Sequence, residues 1–170
     1  KKKILTISDM PLASSGVGIQ TKNFIQALLE TGEYEVISIG GAQYHEDYTP
    51  FVTEKYGQDW KIIPIKGFGN REVLMGIITS QKPDLVWLMT DPRYFTWLWD
   101  MENEIRANVP IIYYHVWDNY PYPKFNIPKY QSNDVIVTIS QLTHDIVQTL
   151  TPEVRSYYLP HAVDPEVFKP

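Results

Sequence analysis

The sequence predicts an α/β fold: one domain whose mostly parallel sheet carries helices on both faces. Short apolar runs typical of buried strands alternate with segments in which apolar residues recur every three or four positions, as on one face of a helix. Strands separated by helices at this spacing form βαβ units, whose strands lie parallel. The chain has 170 residues, which is long enough for one such domain and too short for two.

Strands and helices are predicted in chain order as follows. The strands are residues 4–8, 35–39, 60–65, 85–89, 111–114, 134–139 and 154–159. The helices are residues 17–29, 70–81, 94–105 and 142–150; Gly32 stops the first and Ser140 caps the last. Residues 42–59 form a long polar and aromatic connection, and residues 119–128 form a proline-rich loop. This alternation describes a Rossmann-like domain, in which ligands bind beyond the carboxyl ends of the strands.

Composition excludes several classes of function. Hydrophobic residues make up 44% and charged residues 21%, as in an ordinary soluble protein, and the net charge of -5 gives no reason to expect nucleic-acid binding. Without cysteine there is no disulfide, thiol nucleophile or thiolate metal site, and the four histidines lack the spacing of metal ligands, so we expect no metal. No apolar run approaches a membrane span or a signal-peptide core, and no basic amphipathic helix supports association with a membrane surface. We therefore expect a cytoplasmic protein.

A glycine-containing loop follows the first strand and leads into the first helix. It contains Ser15, Gly16, Val17 and Gly18. The start of a helix offers unpaired backbone N–H groups, and glycine lets a ligand approach them closely, so this loop is a candidate site for a phosphate or a ligand hydroxyl. A turn that merely needs small residues is the alternative.

The loop departs from the two common nucleotide-binding motifs. A dinucleotide-binding loop has a third glycine where this chain has Thr21, and its second strand ends in an acidic residue where this chain has Gly40 and Gly41. A Walker loop requires a Gly-Lys-Ser/Thr sequence, which does not follow here. A nicotinamide-dependent oxidoreductase is therefore disfavoured, although it stays among the alternatives.

Polar side chains lie near the predicted carboxyl ends of the strands. We expect His115 to point into the crevice, where it would bind a sugar hydroxyl or phosphate or transfer a proton; the alternative is a histidine hydrogen-bonded beneath a loop. Asp118 would orient His115, contact an acceptor, or only cap a loop. Asp91 is either part of the site or the N-cap of the next helix. Tyr44 either lines an acceptor pocket or belongs to a solvated loop.

Aromatic residues are bunched within residues 94–99 and 113–122. They make up 14% of the chain, with 12 Tyr and 5 Trp. Such flat amphipathic rings contact sugars and other ring-shaped ligands, or they pack beneath loops.

Four segments, in order along the chain, resemble those of glycosyltransferase family 4, which has the GT-B fold. They are SSGVGIQTKNFIQAL after the first strand, YYHVWD at the end of the fifth, DVIVTISQLTHDIV in the next strand and helix, and LPHAVDPEVFKP at the end. The last segment has His161 and Ala162 where the family usually has Asn and Gly. The chain thus resembles the amino-terminal half of such an enzyme.

This resemblance implies a retaining, metal-independent hexosyltransferase that moves a sugar from a nucleotide-sugar to a saccharide, lipid or protein acceptor, with no further cofactor. Residues 1–160 would form the acceptor-side domain and residues 161–170 the start of a linker to a donor-binding domain outside this chain, so the chain alone would be inactive. Ser15, Gly16, Val17 and Gly18 would contact the donor diphosphate or the acceptor, and His115 would be catalytic. A noncatalytic ligand-binding or interaction module on the same scaffold is the alternative.

Overall fold

Eight strands form one sheet in the computed structural model, which describes residues 1–169. The strands are β1 (Lys2–Asp9), β2 (Tyr34–Gly41), β3 (Phe51–Thr53), β4 (Gly57–Pro64), β5 (Leu85–Met89), β6 (Ile111–His115), β7 (Val135–Thr138) and β8 (Ser156–Tyr158). The helices are α1 (Gly16–Glu30), α2 (Arg71–Gln81), α3 (Thr96–Trp99), α4 (Glu102–Arg106), α5 (Ile127–Gln131) and α6 (Gln141–Leu150). Two 3₁₀ turns span Pro92–Phe95 and Lys124–Asn126. Within residues 1–169, no helix has both the length and the apolar character needed to cross a membrane.

The strands are arranged in the order β3-β4-β2-β1-β5-β6-β7-β8 across the sheet. All neighbouring pairs are parallel except β3 and β4, which form an antiparallel pair at one edge. The predicted α/β class and mostly parallel sheet are therefore confirmed. From β1 the chain builds outward through β2 to β4, and α2 then carries it back to β5 on the other side of β1. The order reverses between β1 and β5, which is where ligands bind in open parallel sheets.

Alternate residues of the central strands pack into two hydrophobic clusters on opposite faces of the sheet. In β1, Leu5 and Ile7 join the cluster that contains the buried residues of α2, α3 and α4. Ile4, from the same strand, packs with Ile25 and Leu29 of α1. Because helices cover both faces, the strands are almost continuously apolar, and polar ligand-binding groups are confined to the loops at the strand ends.

The two positions that depart from the dinucleotide motif each have a structural explanation. Thr21 is buried, and its Oγ1 lies 2.8 Å from the Oγ of Ser8, so a side-chain hydrogen bond joins α1 to β1 where a third glycine would allow close backbone packing. At the end of β2, Gly41 lies against the backbone carbonyl of Gly67, and any side chain there would collide with it. Neither position offers a group that binds a dinucleotide.

Three details of the predicted secondary structure are wrong. The connection 42–59 contains β3 and the start of β4. β3 was missed because a strand of three residues is too short to show a pattern. The predicted helix 94–105 is a 3₁₀ turn followed by α3 and α4; the N–H of Met101 bonds to the carbonyl three residues back at Leu98, which tightens the helix and interrupts it. The proline-rich loop 119–128 leads into α5, where Pro128 occupies the first turn, a position that proline tolerates.

Candidate functional site

Two cavities lie beside the reversal point between β1 and β5, and Thr90, the residue after β5, lines both. The first, the Trp117 cavity, has a volume of about 550 Å³. It is lined by Val17, Thr90, Asp91, Arg93, Val116, Trp117, Asp118, Asn119 and Phe125. The second, the Tyr94 cavity, has a volume of about 600 Å³. It is lined by Asp9, Ala42, Gln43, Tyr44, Tyr48, Lys66, Gly67, Phe68, Thr90 and Tyr94.

The structure brings several of the predicted site residues together and separates others from them. Val17, Asp91 and Asp118 share the Trp117 cavity. Tyr44 lines the Tyr94 cavity instead, and its side chain is 85% exposed. His115 lines neither cavity, because it is completely buried. The expectation that His115 points into the crevice is therefore wrong: the side chain is hydrogen-bonded in the interior, beneath Tyr130 of α5 rather than beneath a loop.

His115 is the centre of a chain of hydrogen bonds whose direction follows from counting protons. The hydroxyl of Tyr113 lies 2.7 Å from the carbonyl oxygen of Thr90 and donates its only proton there. His115 Nδ1, 3.1 Å from the same hydroxyl oxygen, must then carry a proton and donate it. In the neutral ring Nε2 is consequently an acceptor, and it receives the hydroxyl proton of Tyr130 at 2.6 Å.

Burial keeps the hydrogen-bonded side chains of Tyr113, His115 and Tyr130 in their neutral forms. Removal from water lowers the pKa of His115 to about 3, although the negative charge of Asp91 acts in the opposite direction. The same effect raises the pKa of Tyr130 to about 12 and moves the pKa of Tyr113 well upward. A histidine that is neutral and bonded at both nitrogens cannot exchange a proton with a ligand in this arrangement. It can instead position Thr90, the residue that both cavities share.

Ser15 caps the amino terminus of α1. Its side chain accepts the backbone N–H of Gly18, which is one of the amides expected to bind a ligand. Its Oγ accepts a hydrogen bond from the backbone N–H of Gly18 at 3.0 Å and donates one to the Asp9 carboxylate at 2.8 Å. A methyl group on Gly18 would stand 2.8 Å from the carbonyl oxygen of Met10. Gly18 is therefore required by the packing of the loop, as the alternative of a tight turn predicted.

Gly16 and Val17 are the two residues of this loop that remain open to a ligand. Gly16 has nothing within 4 Å of the position a methyl group would take. Within the described part of the chain, neither backbone N–H has a hydrogen-bond acceptor. These two amides and the positive end of the α1 dipole attract negative charge, whereas the nearby Asp9 carboxylate opposes it. The helix end therefore suits a ligand hydroxyl, or a phosphate that other groups also neutralise.

Asp91 begins the 3₁₀ turn Pro92–Phe95 and is paired with Arg93. One carboxylate oxygen accepts the backbone N–H of Arg93 at 2.8 Å, which confirms the N-cap interpretation. The guanidinium of Arg93 also donates to both carboxylate oxygens, at 2.9 and 2.7 Å. These hydrogen bonds hold the pKa of Asp91 below its ordinary value. The pair presents a nearly neutral polar edge to the Trp117 cavity.

Several residues of the site were missed in the sequence, and most are aromatic. Trp117 and Phe125 form one wall of the Trp117 cavity, with ring centroids 5.8 Å apart. In the Tyr94 cavity, Tyr94 stacks on Phe68 at a centroid distance of 4.9 Å. The bunching of aromatic residues was the available signal. It covers Tyr94 and Trp117 but not Phe68 and Phe125, and it does not separate the exposed Tyr94 from its buried neighbour Phe95.

The last described residues return to the amino terminus of α1. Gln20 Nε2 donates to the carbonyl of Ala162 at 2.9 Å, and the Tyr114 hydroxyl donates to the carbonyl of Leu159 at 2.7 Å. Between them lies the carboxyl-terminal groove, with a volume of about 640 Å³. Its lining includes Gly16, Val17, Gln20, Val116, His161 and Ala162. The glycine loop, the YYHVWD segment and the LPHAVDPEVFKP segment thus meet in one place.

No family model matches the chain, and no curated protein matches it. Among the residues that the structure describes, no three His, Asp or Glu side chains form a group that could hold a metal ion.

Proposed function

We propose that the chain is the acceptor-side half of a retaining, metal-independent glycosyltransferase, which moves a sugar from a nucleotide-sugar to an acceptor. The observation that carries this proposal is the carboxyl-terminal groove. Three segments that resemble glycosyltransferase family 4 begin at residues 14, 113 and 159, and residues from all three line this one groove. Such convergence at the carboxyl edge of a parallel sheet is expected of a binding cleft.

The reaction demands that charge be stabilised as a bond breaks. An acceptor hydroxyl oxygen bonds to the anomeric carbon of the donor sugar, the bond from that carbon to the diphosphate oxygen breaks with its electron pair, and the hydroxyl proton leaves with the diphosphate. The free amides of Gly16 and Val17, at the positive end of α1, are suited to this growing charge. His115 acts in this proposal as a positioning residue, which holds Thr90 through Tyr113.

The donor half lies outside this chain in the proposal. Residues 1–160 form the acceptor-side domain, and residues 161–170 begin the linker to a second α/β domain that binds most of the nucleotide-sugar. The helix end at Gly16 would be the meeting point of the two halves, because the carboxyl-terminal groove already brings the linker to it. A cytoplasmic location, which the lack of cysteine favours, is part of the same proposal.

The test is an assay of nucleotide-sugar consumption with the chain extended through its natural downstream sequence. Gly16→Val places a branched side chain where the structure has open space, so the fold is kept while access to the amides is blocked. We expect it to reduce consumption by at least about tenfold. Gly76→Val, on the exposed side of α2 and equally free of neighbours, is the matched control and should leave the rate unchanged. Full activity of the Gly16 variant, or no consumption of any common nucleotide-sugar, would refute the proposal.

A further inference from the structure

We infer that the Trp117 cavity binds a neutral saccharide and that this saccharide is the acceptor, an inference that rests on the proposed function. The cavity volume of about 550 Å³ is within the range of small-molecule sites. Its position beside the reversal point of the sheet is where such a ligand is expected. The class of ligand follows from the groups that line it.

The apolar part of the cavity is flat and aromatic. Phe125 is 66% exposed and meets the ring of Trp117 edge to face, at an interplanar angle of 69°. Val17 and Val116 extend this apolar surface. A sugar ring has faces of C–H groups and a rim of hydroxyls, so it can cover aromatic rings while its rim stays hydrogen-bonded.

The polar part of the cavity offers both kinds of hydrogen-bonding group that a hydroxyl needs. The side-chain amide of Asn119 is exposed and can donate to a ligand hydroxyl oxygen, whereas the Trp117 indole nitrogen has less than 1 Å² of accessible surface and lies behind the cavity wall. An alkyl chain of a lipid would cover the exposed polar groups without pairing them, at a cost in affinity. The exposed carboxylate of Asp118 is an acceptor for a ligand hydroxyl proton.

The charges of the cavity oppose an anionic acceptor. Arg93 is the one cationic residue of the lining, and both oxygens of Asp91 already engage its guanidinium. Asp118 adds a carboxylate with no cation within salt-bridge distance in residues 1–169. The lining residues thus carry one more negative than positive charge, which opposes a phosphate or carboxylate group on the ligand, and Lys129, near Asp91, offsets part of this charge from outside the lining. A neutral saccharide has no such penalty.

The experiment follows the indole N–H signal of Trp117 by NMR, assigned with Trp117→Phe, in the chain of 170 residues. The probes are the neutral disaccharides maltose, cellobiose and lactose, with glucuronate and glucose 6-phosphate as anionic probes. We expect at least one neutral sugar to shift this signal at millimolar concentration and to bind about tenfold more tightly than either anion. Phe125→Ala should abolish the shift, and Asp118→Asn should narrow the preference for the neutral sugar. Phe51→Ala, an exposed phenylalanine on β3, is the control and should change neither.

Tighter binding of the anionic probes, or no shift with any neutral sugar, overturns the inference. Its failure is distinct from failure of the proposed function, because the nucleotide-sugar assay with the extended chain is a separate measurement. If the nucleotide-sugar is consumed and no neutral saccharide binds, the inference fails alone. If a neutral saccharide binds and no nucleotide-sugar is consumed, the proposed glycosyltransferase fails and a saccharide-binding site remains.

Discussion

Replacing His115 by glutamine should change how the stability of the protein depends on pH. In the folded state burial lowers the pKa of His115 to about 3, whereas an unfolded chain has a histidine pKa of about 6.5. Below about pH 6.5 His115 takes up a proton in the unfolded chain but stays neutral in the folded protein, so acid favours unfolding. The stability that comes from keeping His115 neutral is therefore fully present above the pKa of about 6.5 in the unfolded chain. It is lost progressively as the pH falls toward the pKa of about 3 in the folded protein.

The size of the effect follows from these two values. At about pH 5 the unfolded histidine is protonated and the folded one is neutral, which reduces the free energy of unfolding by about 1.36 kcal/mol for each of ~1.5 pH units, or ~2 kcal/mol. Near pH 7.5 the variant should be less stable than the parent by ~2 kcal/mol, because the hydrogen bonds to Tyr113 and Tyr130 are disrupted inside the core. Glutamine takes up no proton in this pH range, so the free energy of unfolding of the variant does not fall through this effect. The two proteins should therefore approach equal stability near pH 5.

Urea unfolding, followed by tryptophan fluorescence between about pH 7.5 and pH 5, measures this difference directly. His144→Gln is the control: His144 is a partly exposed histidine on α6, and this variant keeps His115, so its pH dependence should follow that of the parent. A difference between parent and His115→Gln that stays constant across this pH range would refute the account of a neutral, buried His115.

The N-cap and first turn of α1 support three further predictions, all measured as the free energy of unfolding in urea. Gly18→Ala should cost about 1–3 kcal/mol, because the added methyl group would meet the carbonyl oxygens of Met10 and Ala13 at 2.8 and 3.0 Å; unchanged stability would contradict this. Gly16→Ala should be neutral or slightly stabilising, since the position is open, and a loss above about 1 kcal/mol would be inconsistent with it. Ser15→Ala should cost about 1 kcal/mol through loss of the cap on the Gly18 amide, and an unaffected variant would show that the cap is not formed.

The sheet could be predicted from the sequence because its strands are covered on both faces. Parallel strands buried in this way are short apolar runs between helices, and Leu85–Met89 is predicted with the bounds that the structure has. β3 could not be predicted, because its three residues pair with β4 at an exposed edge and their burial shows no alternation. The break between α3 and α4 could not be predicted either. The apolar residues keep a helical spacing across the interruption at Asp100 and Met101, so they predict one continuous helix.

The error at His115 has a single structural cause. Tyr113 and His115 lie on the same face of β6, two residues apart, and the ring of Tyr130 on α5 covers His115. The predicted proline-rich loop ends at residue 128 and no element is predicted for residues 129–133, so nothing in the sequence places Tyr130 over the histidine. The position of Val17, Asp91 and Asp118 in one cavity was easier to predict. It follows from the rule that loops after neighbouring parallel strands meet at one edge of the sheet.

The anomeric configuration of a transferred sugar tests the central claim most directly. The chain extended through its natural downstream sequence would be incubated with an α-linked nucleotide-sugar and the neutral disaccharide that shifts the Trp117 indole signal, and the new linkage would be identified by NMR. The proposed retaining glycosyltransferase predicts an α-linked product that forms only with the disaccharide present and that is lost in Gly16→Val. A β-linked product, or an α-linked product that forms equally well in Gly16→Val, would contradict it.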